Sequence, residues 1–76
     1  MDDFPSMKAR RLLAILMREP LNYRIVRQTG SHRTMRAPGR PQVTFAFHAR
    51  ELKPREVRHV LVRQAGLAEY EALDLL

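Results

Sequence analysis

Apolar residues recur along this chain with two different rhythms, one of period near 3.6 and one of period two. Ala9, Leu12, Leu13 and Leu16 are spaced by threes and fours, so an amphipathic helix is expected from about Met7 to Glu19, with Ser6 as its N-cap and Pro20 as its stop. Tyr23-Arg24-Ile25-Val26-Arg27-Gln28 has the β-branched, aromatic, alternating character of a strand, and His32-Arg33-Thr34-Met35-Arg36-Ala37 follows as its return. Thr29-Gly30-Ser31 is the turn between them, with Gly30 able to take a positive φ. A three-residue loop would pair Ile25 with Met35 and Gln28 with His32. Tyr23, Ile25 and Met35 would then face a core, and Arg24, Gln28, His32, Thr34 and Arg36 an open face. Val26 also falls on that open face, against the pattern, and a two-residue loop would change the pairing.

Pro38-Gly39-Arg40-Pro41 reads as a second turn, and Gln42 to His48 as the most regular strand, with Val43, Phe45 and Phe47 on one side and Thr44, Ala46 and His48 on the other. After a connection, Ala49-Arg50-Glu51-Leu52, a second helix begins at Lys53-Pro54, carries Val57, Val60, Leu61 and Ala65 at helical spacing, and ends at Gly66 as C′ glycine. Ala68 to Leu76 reads as a short terminal helix or a flexible tail. The expected architecture is α+β, in the order α-β-β-β-α: a three-stranded antiparallel sheet with helices on one face. The whole chain, 1–76, is expected to form a single domain with its core between about 6 and 67.

Charge changes this picture more than length does. The 76 residues carry 14 Lys and Arg against 8 Asp and Glu, a net charge of +6. No acid lies between Glu19 and Glu51, whereas Arg24, Arg27, Arg33, Arg36, Arg40 and Arg50 do. Arginine's planar fork suits phosphate, so an anionic partner is implied, nucleic acid first and an acidic protein second. Lys8, Arg10 and Arg11 sit near the first turn of the first helix, where its dipole disfavours cations; they serve either a ligand or a solvated polar face. There is no cysteine, which suits a reducing cytosol, and His32, His48 and His59 lack metal-ligand spacing, so no metal is expected. The start Met1-Asp2-Asp3 is acidic and the longest apolar run, Leu12 to Met17, is far too short to span a bilayer, so no membrane association and a cytoplasmic location are expected.

The residues with chemistry to offer are Gly30-Ser31-His32. An imidazole held at a hairpin corner among arginines can bind RNA and move protons near neutral pH. On position alone such a histidine is more often a turn or surface residue than a catalyst. His48, at the end of the third strand, can reach the same open face as an accessory group or simply bond at a strand end. His59, among the arginines of the second helix, reads as ordinary surface, and Tyr23 and the phenylalanines read as core.

Four local patterns in this order carry a resemblance to a known family: Arg27-Gln28-Thr29-Gly30-Ser31-His32, a third strand ending in His48, Glu51-Leu52-Lys53-Pro54, and Arg63-Gln64-Ala65-Gly66-Leu67. From Ser6 to Leu67 the chain resembles the HicA (YcfA-like) toxins, mRNA interferases of bacterial toxin-antitoxin pairs. The resemblance implies a fold like the double-stranded RNA-binding domain and a metal-independent, ribosome-independent endoribonuclease needing no cofactor. It places the catalytic histidine on His32 and implies a HicB-type antitoxin as partner. Expected RNA contacts are Lys8, Arg24, Arg33, Arg36, Gly30 and Ser31, with His48 accessory. The sequence departs from the family pattern at Asn22-Tyr23, where glycine and an aromatic residue are common, and at Ala46, where proline often precedes the second histidine. A non-catalytic RNA-binding module of the same fold, or a plain interaction protein with a basic face, are the competing expectations.

Overall fold

The structure, a computed structural model, describes residues 3–47 and 51–76. His48 lies outside the described residues. Strand β1 (Met7–Lys8) leads into helix α1 (Ala9–Met17), and three strands follow: β2 (Arg24–Thr29), β3 (His32–Arg36) and β4 (Val43–Ala46). Strand β5 (Glu51–Leu52) precedes helix α2 (Pro54–Arg58), which continues as a π-helical segment (His59–Gln64), and helix α3 (Glu69–Asp74) closes the chain. Strands β2, β3 and β4 form the expected three-stranded antiparallel sheet in sequence order.

The core follows the alternation read from the sequence except at Ile25, which is expected on the core face and is 38% exposed. Met35, Val43 and Phe45 on one face of the sheet are buried in one cluster with Leu12, Ile15 and Leu16 of α1, with Val57 of α2 and with Leu61 of the π-helical segment. The cluster reaches past the 6–67 span, taking in Phe4 on one side and Ala72 on the other. The terminal stretch is helical rather than slack: Glu71 accepts a hydrogen bond from the Ala68 backbone at 2.9 Å, capping α3, and Arg58 pairs with Glu69 at 2.8 Å. Among the described residues no helix is long and apolar enough to cross a membrane.

Three further expectations are corrected. Ser6 does not cap α1. The helix starts at Ala9 with Lys8 at the N-cap, because Met7 and Lys8 are extended and pair with Leu52 and Glu51, a segment expected to be a plain connection. The hairpin loop has two residues, so Thr29 rather than Gln28 lies opposite His32, and Gln28 lies opposite Arg33. Ile25 still faces Met35, because an irregularity at Val26 inserts one extra residue into β2. That bulge resolves the misfit of Val26, which projects outward, 55% exposed. As a result Arg27, opposite Thr34, joins the face of His32 and Gln28 leaves it. The departure at Asn22 is conformationally mild: its φ is +55°, and asparagine is among the few side chains that tolerate the left-handed region.

Candidate functional site

A two-residue turn sets the site. Gly30 occupies its first central position with φ +59°, as a type II′ hairpin requires, and a Cβ there would meet nothing within 4 Å. Glycine is thus needed for its backbone angle and not for room. The turn delivers His32 as the first residue of β3, opposite Thr29 on one side and Ala46 on the other. Just beyond, the Phe47 backbone N–H donates to the Ser31 carbonyl at 2.6 Å, which fastens the corner to the residue that follows β4.

Cross-strand partners share a face, so His32 stands in a row with Thr34 and Arg36, flanked by Arg24, Arg27 and Thr29 of β2 and by Thr44 and Ala46 of β4. The row is cationic along β2. Arg24 lies directly opposite Arg36, an arrangement that repels unless an anion neutralises it. Arg36 donates to Gln42 at 3.2 Å, and the hydroxyls of Thr34 and Thr44 are 3.4 Å apart. Among the described residues the only ion pair is Arg58–Glu69, so the sheet arginines carry no carboxylate partner there.

Arg33 stands elsewhere. Its partners Gln28 and Phe45 put it on the core-side face, and its guanidinium carbon lies 4.0 Å from the ring centre of Phe47, a cation–π contact. Lys8 lines a separate depression at the start of α1 with Ser6, Arg10, Arg11 and Glu51. Of the residues singled out in the sequence, the structure brings together on one face His32, Arg24 and Arg36 beside the Gly30-Ser31 corner. It does not bring Arg33 or Lys8 to that face.

The face of His32 opens into a cleft of about 490 Å³ between β4 and the second helix. His32, Thr44 and Ala46 line one wall, and Arg55, Glu56, His59 and Gln64 the other. The walls are joined where Gln64 Oε1 accepts the Thr44 backbone N–H at 2.8 Å. Sequence reasoning placed His59 on ordinary surface and gave Gln64 no role. The only one-dimensional signal was that Arg55, Glu56 and His59 lie at i, i+1 and i+4, one polar stripe of the helix. Which element that stripe faces is a tertiary fact. Among the described residues no three His, Asp or Glu side chains are grouped to hold a metal ion.

Tyr23 anchors the back of the sheet. It is 1% exposed, and its hydroxyl donates to the Pro41 carbonyl at 2.7 Å. Burial raises its pKa above the ordinary tyrosine value, with Arg40 pulling weakly the other way.

Comparison with curated proteins and with solved structures finds no match. A family model does match: that of the HicA toxin of bacterial toxin-antitoxin systems, over residues 9–67. The matched span runs from the first residue of α1 to the residue after the C′ glycine of the second helix, taking in the sheet, the hairpin corner and both walls of the cleft. The chain therefore belongs to the HicA toxin family of bacterial toxin-antitoxin systems.

Proposed function

We propose that this toxin is an endoribonuclease that cuts mRNA without metal, cofactor or ribosome, using His32 as general acid or base. The observation that carries the reading is the position of His32: an exposed imidazole at a hairpin corner fixed by Gly30, opening on a cleft and flanked by arginines that have no carboxylate partner among the described residues. RNA contains its own nucleophile. Its 2′-oxygen bonds to the adjacent phosphorus while the bond to the 5′-oxygen breaks, leaving a 2′,3′-cyclic phosphate and a 5′-hydroxyl. The protein need only accept one proton, donate another and offset charge on the phosphorane.

In this reading Arg24 and Arg36 hold phosphates beside His32, Lys8 holds the strand further along, and Arg33 acts from the other face of the middle strand. Gly30 and Ser31 bring backbone close to the RNA. A HicB-type antitoxin silences the toxin by covering this surface, and the site of action is the cytoplasm, where mRNA is. His48 is an accessory group.

The test is to incubate the protein and its His32→Ala variant with a long single-stranded RNA in excess EDTA and identify the fragment ends. Cleavage by the parent with 5′-hydroxyl ends, reduced about 10²- to 10⁴-fold in the variant, is the expected result. The second reading, a non-catalytic RNA-binding module, draws on the same arginine row. It predicts no cutting by either protein and salt-sensitive binding by both.

A further inference from the structure

His32 does not line its cleft as the only imidazole. His59 is on the opposite wall, at the start of the π-helical segment, in the same space as His32, Arg55 and Glu56. Its side chain is exposed, and among the described residues it makes no hydrogen bond or ion pair. Its neighbours are already occupied: Arg58 pairs with Glu69, Gln64 holds the Thr44 backbone, and Glu56 accepts the Lys53 N–H at 2.8 Å as a helix cap. Among the described residues, His59 is the group on that wall with proton chemistry and no structural employment.

The backbone beneath it is unusual. The Ala65 N–H reaches back five residues to the Val60 carbonyl at 2.9 Å, so the helix widens into a π turn where it faces β4, and such turns are common at functional sites. The Gln64–Thr44 bond then fixes this wall against the strand that carries Ala46, the partner of His32. Both imidazoles are therefore borne on elements tied to each other, the condition for holding two groups about one substrate.

We propose that His59 is a second catalytic residue, acting with His32 across the cleft; the inference rests on the nuclease reading above. In-line displacement places the attacking 2′-oxygen and the departing 5′-oxygen on opposite sides of phosphorus, so the base and the acid are best supplied from opposite sides. One imidazole on each wall meets that requirement. As the 2′-oxygen bonds to phosphorus its proton passes to one imidazole, and as the P–O5′ bond breaks the 5′-oxygen takes a proton from the other. One histidine must be neutral and the other protonated, so cleavage peaks at an intermediate pH and falls on both sides. Among the described residues the charged and titratable groups lining the space are His32, Arg55, Glu56 and His59.

The experiment measures the pH dependence of RNA cleavage in EDTA by the full chain and its His59→Gln and His59→Ala variants, alongside His32→Ala. Expected for both His59 variants is a loss of about 10²-fold or more at neutral pH with RNA affinity retained, and a profile that keeps only one limb. Added imidazole should partly restore the His59→Ala protein, which a merely structural role would not allow. If both His59 variants cut nearly as fast as the parent and keep both limbs while His32→Ala is dead, the second catalytic residue is refuted and the nuclease reading stands. If the parent does not cut RNA, both fall together.

Discussion

The two sides of the sheet's middle strand are built on opposite terms. The β4 side is tied by specific joints: Tyr23 bonds to Pro41, Gln64 to the Thr44 backbone, and Gly66 lies so near the Pro41 ring that a Cβ on it would be in van der Waals contact. On the β2 side all six strand residues are exposed, the strand is bulged at Val26, and two arginines face each other across the ladder. The first side is specified by burial and hydrogen bonding, which stabilise the chain by themselves. The second sets two exposed guanidiniums opposite each other, a cross-strand pairing that costs stability and does nothing for the fold. His32 lies at the boundary, reached from β2 through the turn, paired with Ala46 of β4 and held just past that strand by the Phe47–Ser31 bond.

The tied side is broken most severely at Gly66. Its φ is +78°, and a Cβ there would lie 3.5 Å from Pro41 Cγ, so the angle rather than the space forbids a side chain. Gly66→Ala should cost about 1–3 kcal/mol, the strain of a left-handed non-glycine residue, read as a lower urea midpoint at unchanged slope. In a domain this small that is a large part of the total.

Tyr23→Phe is a gentler break of the same joint. Losing the hydroxyl leaves the Pro41 carbonyl without this donor and should cost about 1 kcal/mol. It should also change the alkaline limb. A tyrosine whose pKa is raised on folding holds its proton more firmly folded than unfolded, so its contribution is complete below pH about 10 and is lost as pH rises through the folded-state value. Unfolding followed across that range should show a falling limb in the parent that is shallower in the Phe variant.

The contrast between the two sides also explains what could be read in advance. Val43 and Phe45, and Val57, Val60 and Leu61, repeat with a period that states both the element and its buried face, and Gly66 marks an ending that only glycine fits. The Gly30-Ser31-His32 corner was equally legible, because one glycine between two alternating runs fixes a reversal. Val26 announced a fault in the register without saying how the chain would absorb it, since a bulge and a shifted loop repair the same pattern. Met7–Lys8 and Glu51–Leu52 are too short to show any period, and they pair because the folded core brings them together. The π turn is silent because Val57, Val60, Leu61 and Ala65 keep spacings that an α-helix also satisfies. His59 is exposed, as a polar stripe on a helix suggests, but the stripe does not say that it borders the cleft, which depends on the strand it faces.

The exposed side makes the smallest demand on stability and so gives the sharpest contrast. Arg24→Gln removes one member of the pair opposite Arg36, whose guanidinium already donates to Gln42. Facing like charges cost a few tenths of a kcal/mol, and a surface change of this kind usually falls within about 0.5 kcal/mol, so the variant should be as stable as the parent or slightly more so. Its RNA binding should weaken, and the slope of log affinity against log salt should become shallower by about 0.7, the value of one phosphate contact to a single strand. A loss of stability with an unchanged salt slope would mean that Arg24 belongs to the scaffold after all. Stability kept while the salt slope falls means that β2 carries charge for a partner, at the expense of its own ladder.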